Sequence, residues 1–91
     1  MTVKLAIDPA SPVPLFLQVK GLIRKEILNG RFDADNRIPP MRRIEIDNSL
    51  SRTTVERAYW LLAKEGYMTK IGNAYFVQKE EEIVLEELTY N

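Results

Sequence analysis

Arg52, Thr53, Thr54, Glu56 and Arg57 gather donors and acceptors of several kinds just after Ser51. Guanidinium, hydroxyl and carboxylate groups in such a cluster suit directional recognition of base edges and phosphates better than bond-making chemistry. Ser51 is a helix N-cap residue, which predicts a helix starting at Arg52. With Val55 set at zero and about 100° per residue, Ala58, Tyr59, Leu62 and Gly66 fall within about 60° of it. They form a core-facing stripe. Arg52 lies at one margin, and Thr53, Glu56, Arg57, Trp60 and Lys64 lie on the opposite side. A recognition helix in the DNA major groove needs polar groups of this kind near its N-terminus. An ordinary amphipathic helix with a solvated face gives the same wheel, so the flanking sequence has to decide.

The 91 residues suit one small domain with a modest core. Cysteine and histidine are both absent, which removes disulfides, serine–histidine and cysteine–histidine nucleophiles, and the usual zinc ligands. No cofactor or metal is expected, and Glu80-Glu81-Glu82 reads as a solvated charge run. No apolar run approaches the roughly 20 residues of a membrane helix, and the N-terminus lacks a signal-peptide pattern. The expected location is cytoplasmic. Net charge is zero, yet residues 1–77 carry 12 Lys and Arg against 8 Asp and Glu, and residues 78–91 carry Lys79 against five glutamates. A mildly basic body thus precedes an acidic tail, and that asymmetry matters more than the overall pI.

Residues 1–13, with Pro9 and Pro12, are expected to be an extended arm, and residues 14–78 the domain. Pro14 opens a helix running to about Asn29, with Gly30 as its C-terminal cap. Phe16, Val19, Ile23 and Ile27, flanked by Leu15 and Leu22, form its buried stripe. Leu17, Gly21 and Leu28 lie on another side and read as half-buried surface or, alternatively, as a subunit or domain contact. A turn over Phe32–Arg37 leads to Ile38, which plugs the core, and Pro39-Pro40 fixes entry into a short helix ending near Asn48. Ile44 is its buried residue, and Leu50 caps the core beneath the next helix. Tyr67–Ile71 and Ala74–Gln78 alternate like strands, and Gly72-Asn73 suits a tight hairpin. Ile71 should face Ala74, Lys70 face Tyr75, and Thr69 face Phe76. Such a hairpin after a helix-turn-helix is a wing. The fold expected is mainly α with a small β-hairpin: a winged helix-turn-helix of three helices plus wing. Residues 79–91 are either an acidic tail, able to mask the basic face, or the start of an effector or dimerisation domain.

The run from Ile38 to Gly66, IPPMRRIEIDNSLSRTTVERAYWLLAKEG, resembles the helix-turn-helix of GntR-type bacterial transcription regulators. Their pattern is approximately L-P-S-x-R-x-L-A-x-x-L-G-V-S-R-x-T-V-x-x-A-x-x-x-L-x-x-x-G, and it aligns without a gap. The match is carried by Ser51-Arg52-Thr53-Thr54-Val55 followed by Ala58, Leu62 and Gly66, and the resemblance extends from Pro14 to Val77. Departures are Pro40 for the N-cap serine, Glu45 for the usual alanine, Ser49 for the turn glycine, and a wing without its second glycine.

The resemblance implies a sequence-specific regulator that binds a palindromic double-stranded operator as a homodimer. A small-molecule effector enters only if a further domain exists. Arg52, Thr54 and Glu56 would read bases, with arginine donating to guanine and a carboxylate accepting from cytosine. Arg42, Arg43, Ser51, Thr53, Arg57 and Lys70 would meet phosphate or backbone, the hydroxyls aided by the helix N-terminus. Gly72 and Asn73 would bring the wing to the minor groove. More local alternatives are ion pairs: Arg43 with Glu45 or Asp47, and Glu56 with Arg52. Trp60 points outward and is expected to pack under the N-terminal arm. The alternative function is a winged-helix protein-interaction or assembly module; Glu56 on the reading face, Trp60 and the neutral overall charge favour it. An enzyme is not expected.

Overall fold

The computed structural model describes residues 2–78. Three helices, α1 (Leu15–Leu28), α2 (Met41–Asn48) and α3 (Arg52–Lys64), are joined by three short strands, β1 (Arg37–Ile38), β2 (Met68–Ile71) and β3 (Ala74–Val77). The strands form an antiparallel sheet in the order β1-β3-β2. Helices α1, α2 and α3 contribute Val19, Ile23 and Ile27, then Ile44, then Val55, Ala58, Tyr59 and Leu62 to one core. The expectations for the tail, residues 79–91, lie outside the described residues.

Local chemistry sets the helix ends. Ser51 caps α3 with its side chain, whereas Pro14 and Pro40 precede α1 and α2 without a side-chain cap. Past the end of α3, Gly66 adopts φ +88°. Its N–H donates to the Ala63 carbonyl and that of Tyr67 to the Leu62 carbonyl, at 3.2 and 2.9 Å. This left-handed exit, cheap only for glycine, turns the chain into β2. Ser49 makes the equivalent turn after α2 at φ 53° without glycine's freedom.

The wing has the anticipated register: Thr69 faces Phe76, Lys70 faces Tyr75 and Ile71 faces Ala74, around Gly72 at φ 63°. Sequence reading missed β1, a two-residue strand that pairs Arg37 with Phe76 and Ile38 with Tyr75. It also missed Phe32 and Met68, which are both buried core residues.

Two expectations, on the buried stripe of α1 and on Trp60, need correction. Phe16 and Leu22 are only half-buried and Leu15 is exposed, because the core-facing stripe of α1 is narrower than expected. The N-terminal arm is extended but firmly anchored, with Val3 in the core. The Val3 and Leu5 N–H groups donate to Asp47 Oδ2 and Asn48 Oδ1, each at 2.8 Å, while Asn48 Nδ2 donates back to the Val3 carbonyl at 2.8 Å. Trp60 is not packed under this arm: it is 61% exposed, and the arm's bonds run to α2 and Gln18 instead. Glu45, where the family pattern has alanine, is half-buried at the margin of α2.

Candidate nucleic-acid interface

The start of α3 is held by its own side chains. Ser51 Oγ accepts the Thr54 N–H at 3.2 Å and lies 2.9 Å from Thr54 Oγ1. Thr54 is half-buried and its hydroxyl is committed to this cap, so it sets the helix start more directly than it can reach a ligand. Thr53 is exposed beside it. No acidic residue occupies the first turn of α3, which leaves the partial positive charge of the helix end unopposed there.

Arg52 is more open than Glu56, its side chain 75% exposed against 49%, and its Nε lies 3.5 Å from Glu56 Oε1. The intrahelical pair anticipated as the local alternative therefore forms. One helical turn separates the partners, so Glu56 can hold the guanidinium plane without hiding its remaining N–H donors. Arg57 turns the other way and lays its guanidinium 3.8 Å from the centre of the Phe16 ring. This stacking ties α3 to the start of α1 and keeps the charge at the surface.

Lys70 sits on β2, its Nζ 5.9 Å from the Tyr75 ring. Tyr75 meets Tyr59 edge to face, with centroids 5.0 Å apart and planes at 89°. Tyr59 in turn donates its hydroxyl to the Pro39 carbonyl, the residue that leads into α2. Burial, with a smaller contribution from Tyr75, pushes the Tyr59 phenol well above its ordinary range, so it stays neutral. Wing, α3 and the entry to α2 are thereby joined through two rings.

Arg52, Thr53, Glu56, Arg57 and Lys70 share one open surface of about 700 Å³ with Trp60. Trp60 lies under Lys64, whose Nζ is 4.8 Å from the ring. Arg42 and Asn73 are exposed elsewhere, on α2 and at the wing tip. Arg43 is drawn away: its Nη1 lies 3.8 Å from Asp47 Oδ1, and it lines a different groove with Arg31 and Arg37. Sequence reading did not single out Arg31 or Arg37; their clustering depends on the loop before β1 and has no periodic signal. Among the described residues, no group of three or more His, Cys, Asp or Glu could hold a metal ion, and no helix is long and apolar enough to cross a membrane.

No family model matches the chain. Over 64 residues, 70% of its length, it is 41% identical to the probable rhizopine catabolism regulatory protein MocR of Rhizobium meliloti, and it spans 13% of that protein. Over 85 residues, 91% of its length, it is 32% identical to the HTH-type transcriptional repressor NagR of Bacillus subtilis (strain 168), and it spans 35% of that one. Among solved structures, it resembles YtrA from Sulfolobus acidocaldarius, a GntR-family transcription factor. The TM-score is 0.77 at 25% identity, covering 94% of this chain and 93% of that one. It also resembles the AraR DNA-binding domain in complex with operator ORX1, with a TM-score of 0.72 at 26% identity, covering 85% and 98% of the two chains.

Proposed function

We propose, for a chain whose described residues form a winged helix-turn-helix of the GntR type, that it is a sequence-specific DNA-binding transcription regulator. The observation that carries this reading is the exposed Arg52–Glu56 pair at an uncapped-by-acid helix start, on one surface with Thr53, Arg57 and Lys70. Helix α3 enters the major groove by its N-terminus. Arg52 donates to guanine O6 and N7, and Glu56 fixes its plane or accepts from cytosine N4. Thr54 joins them at the base edges only by giving up its bond to Ser51. Ser51, Thr53, Arg42 and Arg57 meet phosphates on either side, and Arg43 joins them only by swinging away from Asp47 and its own groove. Lys70 meets phosphate from the wing, and Gly72-Asn73 approaches the minor groove.

One module with so few phosphate contacts binds weakly, so a homodimer on a palindromic operator is the working state. The relatives' greater length supports an effector or pairing domain elsewhere in a longer protein, where a small molecule would bind. The relatives' names support a regulator rather than an enzyme; a DNA-binding role would place it in the bacterial cytoplasm, at the nucleoid when bound.

Selection of the tightest binders from random-sequence duplexes tests this reading, with Arg52→Ala as control. A palindrome should be enriched, lost in the variant, and weakened steeply by salt. Failure to enrich any sequence, with the two proteins alike at low salt, would overturn it. The exposed Trp60 beside Glu56 favours a second reading, a protein-interaction module. In that case Trp60→Ala, and not Arg52→Ala, should abolish association with a partner.

A further inference from the structure

Several cations lie over aromatic rings among the described residues, and one of these contacts is much closer than the others. Arg24, Lys64 and Lys70 stand 5.6, 4.8 and 5.9 Å from the Tyr67, Trp60 and Tyr75 centroids. The guanidinium carbon of Arg57 is 3.8 Å from the Phe16 centroid, van der Waals contact over the ring face. Helix α3 itself offers Arg57 no such support. The positions one turn away are Thr53, Thr54, Trp60 and Leu61, so no carboxylate is within intrahelical reach. Glu56 turns to Arg52 instead, and Arg57 has no ion pair among the described residues.

A ring laid over one face of a guanidinium leaves its N–H donors free, because they point outward in the plane of the group. It also removes rotamer freedom from a long side chain before any ligand arrives, and so lowers the entropy lost on binding. Phe16 is half-buried, near the start of α1, whereas Arg57 is exposed. Thr53, one helical turn before Arg57, is exposed too and lines the same open surface as Phe16 and Arg57. A hydroxyl and a planar fork of donors, one turn apart on one face, suit an anion with several acceptor oxygens.

We propose that Phe16 is a positioning residue for Arg57, holding its guanidinium beside the Thr53 hydroxyl so that both donate to one DNA phosphate. This rests on the DNA-binding reading, and it makes the start of α1 part of the interface without a nucleotide contact of its own. Without the ring, Arg57 keeps its charge but must order its side chain as it binds.

The test measures the affinity of the full chain for a random-sequence duplex, since phosphate contacts need no particular sequence. Wild type is compared with Phe16→Leu, Phe16→Tyr, Arg57→Ala and the Phe16→Leu/Arg57→Ala double variant, each shown by thermal melting to be folded. Phe16→Met replaces Phe16→Leu if the latter melts below the assay temperature. Phe16→Leu should weaken binding about two- to fivefold, and Phe16→Tyr should restore it. In the Arg57→Ala background, Phe16→Leu should have no further effect. Arg57→Ala should also lower the salt slope by about one. Equal affinity of wild type and Phe16→Leu would overturn the proposal while leaving the DNA-binding reading intact. So would an equal loss in the Arg57→Ala background, which would make the ring a packing group only. Absence of binding by wild type at low salt would overturn the DNA-binding reading and the proposal with it.

Discussion

Helices α2 and α3 form one helix-turn-helix but are stabilised in different ways. Helix α3 starts on a serine cap, ends on a left-handed glycine and buries four side chains. Helix α2 starts after Pro40 with no side-chain cap, ends on a left-handed serine and buries only Ile44. What α2 lacks locally it gains from elsewhere, since Asp47 and Asn48 bind the backbone of an arm more than forty positions away in sequence. Helix α3 is therefore specified by its own sequence, and α2 by tertiary contacts.

That contrast can be broken most severely at Ile44. Ile44→Ala removes the only buried side chain of α2 and should destabilise the domain by about 2–5 kcal/mol in denaturant unfolding. A loss below about 1 kcal/mol would mean that the arm holds α2 without its core anchor. High pH strikes the join between the two helices, because Tyr59 on α3 donates to Pro39 at the entry to α2. Its folded pKa is raised, so its stabilisation is complete below the unfolded value of about 10 and is lost as pH rises beyond it. Thermal melts across that range should fall steeply for wild type and less for Tyr59→Phe.

Asn48→Ala leaves the Leu5 N–H and the Val3 carbonyl without their partner and should cost about 1–3 kcal/mol. Hydrogen exchange would then rise in the arm and α2 before α3. Ser51→Ala is the matching change on α3 and should cost about 1 kcal/mol, with fraying confined to its first turn. The smallest effect sharpens the comparison by repair. Ser49→Gly relieves a left-handed residue and should stabilise the domain by up to about 1 kcal/mol, read as a raised Tm.

The same division explains what the sequence made legible. The start of α3, its buried stripe and the wing register follow from a cap, a helical period and a two-residue turn, all of them local signals. Strand β1 has only Arg37 and Ile38, too short to show alternation. Val3 became core because of partners on α2 that its own flanking residues do not announce. Phe16 fits the buried stripe of α1 on a wheel, but a wheel cannot reveal that Arg57 arrives from α3 to cover its ring. At the candidate site, the exposed residues of α3 were legible from one helix. The division of the arginines between two grooves was not, because it depends on how loop, arm and α2 meet.

The two-ring link from wing to α3 makes the domain a caliper. With Tyr75 against Tyr59 and Tyr59 bonded to Pro39, one jaw cannot open without breaking a buried contact. The distance between the helix start and the wing tip is thus set by the fold itself. Under the proposed DNA-binding role, an operator whose grooves are spaced differently would have to bend or unwind to fit, and the stiffness of those base steps would become part of what is recognised.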